Sequence, residues 1–221
     1  QYQYLDQNKE AEERIYEGET PGVSYGDIAE RYYTVGQYMK EVKDVSKAMA
    51  AAGDSYICDE YLNAMGSPEA ESVYVLHDLN NDGIEEFFIG LKFNYDIPYY
   101  VIYDVYTWKD GRAYQLMRGI GYRNGSCKIC ENGVIEDNYS GSAWDGQTLY
   151  HILPEGGIEL ETIDSVSSRR DGTVQSYYHW NELIDENSLQ TILEQYQPES
   201  VTYVDCNRET IEQLRLSGIR K

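Results

Sequence analysis

The chain has 221 residues, 41% of them hydrophobic, with 39 Asp and Glu against 18 Lys and Arg, a net charge of −21 and a pI near 4.4. Nucleic-acid binding rests on cations that neutralise phosphates, so this charge excludes nucleic acid and anionic membrane surfaces as partners. The length and 23 Tyr supply apolar mass for one large domain or two small ones, unlike an acidic disordered tail.

No run of about 18 apolar residues exists, so no membrane-spanning segment is expected. No signal peptide is visible, and opening at Gln1 without Met is expected of a trimmed mature product. Residues 1–22 are expected to form an exposed N-terminal segment, with a short charged helix over 6–17 and a break at Pro21-Gly22. Residues 23–221 are expected to fold as a single α+β domain. Over 25–52, Ile28, Tyr32, Val35, Met39, Val42, Val45 and Met49 recur at steps of three and four, which predicts one amphipathic helix ended by Gly53. A shorter helix is expected over 56–65.

The most informative stretch follows, from His77 to Glu86. Asp78, Asn80 and Asp82 put side-chain oxygens at alternate positions, Gly83 permits a sharp bend, Ile84 offers its carbonyl, and Glu86 reaches back. Calcium is a hard cation that takes about 6–8 oxygens, and a curling loop with this spacing supplies them. Glu85 is expected to point away or to hold a water. The loop is not an EF-hand, which closes with a Glu at its last position of about 12; the count from Asp78 ends on Ile89. Its flanks, 72–76 and 87–91, are β-branched and aromatic, so the unit reads as strand, metal loop, strand. A metal-free Asp-Gly turn is the competing reading of Asp82-Gly83 alone.

Turn signals then recur at Asp110-Gly111, Asn132-Gly133, Gly156-Gly157 and Asp171-Gly172. Strands are expected over 99–108, 113–117, 126–130, 134–138, 148–153, 158–163 and 174–180, forming an antiparallel meander of about seven to nine strands. A helix over 186–196, a strand over 201–204 and a helix over 208–216 capped by Asn207 complete the chain. The N-terminal amphipathic helix and the C-terminal helices are expected to pack on the sheet.

The run from Tyr74 to Gly90, with the Tyr103–Gly111 and Cys130–Ile135 stretches, resembles a loosely characterised group of secreted or lipid-anchored proteins of Gram-positive gut bacteria. The resemblance covers roughly residues 73–160. It implies an exported protein with a calcium site and brings no established activity. The metal loop is also similar to those of thrombospondin, integrin and dockerin repeats, although one copy does not build a solenoid or propeller.

For an exported chain, an even cysteine count suggests disulfides, and Cys58 with Cys206 is the expected long-range pair. Cys127 and Cys130 have CxxC spacing, yet three apart on a strand they point to opposite faces. His77, His151 and His179 lie in or beside strands, where a ring satisfied by a backbone carbonyl is expected. Acidic pairs such as Glu85 with Glu86, or Asp104 with Asp145, are inevitable in so acidic a chain and carry little weight as glycosidase acids. No nucleophile elbow, phosphate loop or HExxH is present.

The loop over 139–146 sets Tyr139 and Trp144 among small residues and is the expected recognition surface. The whole points to an exported, calcium-stabilised, monomeric cell-surface or secreted protein that binds a glycan or a surface protein and does not catalyse. The alternative is a secreted glycosidase-like hydrolase using paired carboxylates.

Overall fold

The computed structural model describes residues 15–19, 24–52, 57–121, 126–140, 144–153, 157–167, 174–180 and 182–217. The fold is α+β, with two antiparallel sheets and helices on their outer faces.

Helix α1 (Tyr25–Val42) starts where Ser24 accepts a hydrogen bond from the Asp27 amide, while Asp27 accepts one from the Ser24 amide. This reciprocal pair satisfies amides that the first turn leaves open. Its buried stripe contains the predicted Ile28, Tyr32, Val35 and Met39 and adds Tyr25 and Ala29. The single helix predicted over 25–52 is nevertheless two. Lys43 takes a left-handed φ of 52° with its amide on the Met39 carbonyl. Asp44 then caps α2 (Val45–Ala52) through the Lys47 amide at 3.1 Å. Competition from a short polar side chain for backbone amides interrupts a stripe that apolar spacing alone carries through, and Val42 is left 37% exposed. Helix α3 (Asp59–Met65) is capped by Cys58.

The first sheet contains β1 (Ile15–Glu19), β2 (Ala70–His77), β3 (Glu86–Phe93), β4 (Tyr99–Lys109), β5 (Arg112–Arg118) and β12 (Val204–Asp205), in the order β1-β5-β4-β3-β2-β12. Residues 15–17, expected as the end of an exposed helix, belong to edge strand β1, which pairs with β5; residues 6–14 lie outside the described residues. The second sheet is a simple meander of β6 (Ser126–Cys130), β7 (Val134–Ser140), β8 (Trp144–Ile152), β9 (Ile158–Ser167), β10 (Val174–His179) and β11 (Glu182–Ile184). The predicted single meander is thus folded over on itself. Helix α4 (Glu186–Leu193) follows, capped by Asp185, and α5 (Arg208–Ser217) is capped by Asn207 as predicted.

Three apolar clusters separate four layers. Between α1, α3, α5 and the first sheet lie Tyr32, Tyr61, Phe87, Ile89, Tyr106 and Ile211. Between the sheets lie Val75, Phe88, Val105, Met117, Ile135 and Tyr150. Between the second sheet and α4 lie Val134, Leu149, Ile163 and Leu189. Each large side chain so buried contributes about 1.5–3 kcal/mol. Strand alternation assigns the faces, since neighbours Phe87 and Phe88 fall in different clusters. Among the described residues no helix is long and apolar enough to cross a membrane.

Candidate functional site

Strands β2 and β3 pair from Ala70↔Phe93 to His77↔Glu86, so residues 78–85 close a hairpin. The Asp78 carboxylate lies inside that loop, with Oδ1 accepting the Asp82 amide at 3.1 Å and Oδ2 the Gly83 amide at 3.0 Å. Asn80 Oδ1 accepts the Asp82 amide at 3.2 Å, and Asp82 Oδ1 accepts the Ile84 amide at 2.7 Å. Successive side-chain-to-amide turns of this kind curl the backbone. Asn81 at φ 59° and Gly83 at φ 87° supply the two left-handed residues the curl needs. Asn80 Nδ2 donates to Asp82 Oδ2 and to the Leu153 carbonyl, both at 3.1 Å, which ties the loop to the second sheet.

Glu86 comes up beneath the loop and is fully buried. Its Oε2 accepts the Leu79 amide and its Oε1 the Thr107 hydroxyl, each at 3.0 Å. Burial pushes its carboxyl up, those two hydrogen bonds pull it part of the way back, and the Asp82 and Asp78 charges push it up again, to about 7 in all. Glu85 is exposed, with its carbonyl accepting the Tyr25 hydroxyl at 2.8 Å. The structure therefore brings Asp78, Asn80 and Asp82 together, with Glu86 close enough to feel their charge; the described contact of Ile84 is through its amide. Among the described residues, no three His, Cys, Asp or Glu side chains form a ready metal cage. The donors fit calcium in kind, because every predicted ligand is a hard oxygen and neither sulfur nor imidazole takes part. A cation there would also relieve the mutual repulsion that Glu86 feels.

The remaining expectations divide. Cys58, Cys127, Cys130 and Cys206 are all buried free thiols, so the expected Cys58–Cys206 disulfide is not formed. Cys58 instead accepts the Tyr61 amide, and Cys206 donates to the Ala29 carbonyl of α1. Cys127 and Cys130 do fall on opposite faces, one between the sheets and one under α4. The histidines pair with carboxylates rather than with backbone carbonyls. His77 Nε2 lies 2.9 Å from Glu199, not on Asp78. Tyr139 and Trp144 stand at the facing ends of β7 and β8 rather than in an open loop, and their side chains lie outside the described residues.

Among the described residues, the expected acidic pairs do not meet in a shared cleft. Asp104 is fully buried against Tyr32 and the Gly119 amide, while the Asp145 side chain lies outside the described residues. Among the described residues, a cleft of about 220 Å³ beside Tyr25, Leu76, Trp108 and Leu214 is lined by one carboxylate, Glu85, and by Arg215.

Two features escaped the sequence reading. Glu161 accepts hydrogen bonds from His151 at 2.9 Å, His179 at 2.6 Å and the Tyr196 hydroxyl at 2.7 Å. Burial alone would raise its carboxyl, but these three donors hold it down to about 2. At the β3–β4 turn, Tyr95, Ile97 and Tyr99 are exposed. Asn94, Asp96 and Pro98 are turn residues, and turn chemistry would have flagged the apolar residues between them. No family model, curated protein or solved structure matches the chain.

Proposed function

We propose that this is an exported, calcium-stabilised binding protein of the cell surface or its surroundings, which engages a glycan or a protein partner and does not catalyse. The observation that carries the reading is the curled Asp78–Gly83 turn set over the buried Glu86 carboxyl, three carboxylates gathered by backbone amides. Asp78, Asn80, Asp82, the Ile84 carbonyl and Glu86 are the proposed ligands. Outside cells calcium is abundant, and extracellular modules bind it with dissociation constants of about 10⁻⁴–10⁻³ M. Trp144 and Tyr139, at the facing ends of β7 and β8, are the recognition residues of this reading.

Thermal melting in chelator and in about 10 mM calcium tests it. A native-state ligand of that affinity adds about 1.4–2.7 kcal/mol, which raises Tm by about 3–10 °C for a chain of this size. Asp82→Ala should abolish the rise, and magnesium should give less of one. Superimposable wild-type curves with and without calcium would remove the site.

A further inference from the structure

The turn that joins β3 to β4, residues 94–98, carries a tyrosine 52% exposed (Tyr95) and an isoleucine 83% exposed (Ile97), and Tyr99 at the start of β4 is 44% exposed. Large exposed apolar groups that adjoin one another mark interaction sites. Their arrangement is more informative than their exposure. The rings of Phe93, Tyr95 and Tyr99 lie within 16° of parallel, with centroids 4.8, 5.9 and 6.4 Å apart. A single-file stack would place its outer rings about twice a neighbour spacing apart, whereas here no pair exceeds 6.4 Å. Phe93 and Tyr99, the closest pair at 4.8 Å, overlap as an offset stack, and Tyr95 lies near-parallel beside them, so the three rings share a common normal in a stepped cluster. Phe93, 7% exposed, fixes them to the core, and Tyr95 and Tyr99 extend them into solvent.

We propose that this tip is a carbohydrate-binding platform for a neutral polysaccharide. Exposed, near-parallel tyrosine rings favour a ligand with a flat apolar face, and a pyranose ring has one, bordered by hydroxyls. The hydroxyls meet the two phenols and the exposed Asn94 and Asp96 at the rim, groups that together donate and accept. The Tyr99 phenol, raised above its usual range by burial and by Tyr95, stays protonated as a donor. A net charge of −21 opposes phosphorylated, sulfated and uronate chains. The nearest cation in sequence, Lys92, alternates to the other face of β3, across from Tyr100.

This assignment rests on the binding reading above but on neither the calcium loop nor Trp144. Affinity electrophoresis through gels containing β-glucan, xylan or galactomannan, with polygalacturonate as the anionic control, tests it. The wild type should be retarded by at least one neutral polymer and not by polygalacturonate. Tyr95→Ala with Tyr99→Ala should weaken that retardation by roughly tenfold or more, the combined loss of two ring contacts, while leaving the melting curve nearly unchanged because both residues are largely exposed. Tyr95→Phe with Tyr99→Phe should retain most of it. Three results would overturn the platform: no retardation of the wild type by any neutral polymer, equal retardation by polygalacturonate, or retention that survives the double alanine variant. If Trp144→Ala alone abolishes retention, recognition belongs to the β7–β8 hairpin; the platform falls while the binding reading stands.

Discussion

Asp104→Asn should change the pH dependence of stability in one direction only. Asp104 lies in the middle of β4, paired in register with Ile89 and Arg118, and is fully buried. Its Oδ2 accepts the Tyr32 hydroxyl at 2.5 Å and its Oδ1 the Gly119 amide at 2.9 Å. Tyr32 in turn contacts the Tyr106 hydroxyl at 2.8 Å, so the carboxylate fastens α1 to the sheet. Burial raises its carboxyl to about 6, against the opposing pull of those hydrogen bonds and of Arg118. An unfolded Asp titrates near 3.9, so the shift of roughly two units corresponds to about 3 kcal/mol at 1.36 kcal/mol per unit. Because the folded value is raised, this contribution is full below about pH 4 and is lost as pH rises through about 6.

Asparagine keeps an acceptor for Gly119 and places a donor against Tyr32, which can pass its own proton to Tyr106. The stability of the variant relative to wild type should therefore increase by about 3 kcal/mol between about pH 4 and pH 7.5. In melting temperature the difference should change by about 6–12 °C. Melts followed by circular dichroism at constant ionic strength, with both proteins at each pH, isolate this one group because the others cancel. A difference that stays flat across the window, or moves the opposite way, would refute the reasoning.

Glu161→Ala removes the acceptor shared by His151, His179 and Tyr196, and should cost about 1.5–3 kcal/mol in urea unfolding at neutral pH. Since that carboxyl is held down to about 2, its contribution stands above about pH 4.3 and fades as pH falls toward 2, so wild type and variant should converge in acid. Gly133→Ala should destabilise by about 1–2 kcal/mol through its φ of +80°, and the added Cβ would also sit 3.1 Å from the Ile152 carbonyl oxygen. Unchanged unfolding midpoints for either variant would count against these roles.

What could be read from the chain was whatever depends on near neighbours in sequence. Asn207 at the start of α5, the opposite faces of Cys127 and Cys130, and the stripe from Ile28 to Met39 follow from local capping and from the periods of strand and helix. The break at Lys43 was hidden because Val45 keeps the apolar step while Asp44 acts on the backbone. The fold-over into two sheets was hidden for a different reason. Alternation tells which residues share a face, but which face meets which is settled by residues far apart in sequence, such as Val75 and Tyr150, gathering in one cluster. The Glu161 hub has the same origin, since Tyr196 reaches it across 35 residues. The curl of the β2–β3 loop was legible because the residues that shape it, Asp78 to Glu86, lie within nine consecutive positions.

Where that loop sits decides what a bound cation would do for the rest of the molecule. It belongs by chain to the β2–β3 hairpin of the first sheet, yet its Asn80 amide holds the Leu153 carbonyl just beyond β8 of the second. The Asn132-Gly133 turn, left-handed at both residues, lies against Leu79 and Asn80, with an ideal Cβ at Gly133 only 3.6 Å from the Leu79 carbonyl oxygen and 3.7 Å from Asn80 Cα. The loop therefore plugs one end of the gap between the sheets, with Leu79 buried among the residues that fill it. A cation that tightened Asp78, Asn80 and Asp82 around itself would fix Leu79 and Asn80 against β7 and β8, and so would clamp sheet to sheet as well as close a hairpin. Calcium dependence would then extend to the cooperativity of the whole fold, because the sheets share one apolar layer and cannot part without exposing it. The β3–β4 tip lies at the opposite end of β3 from Glu86, so recognition there would be supported by the clamp without competing with it for residues.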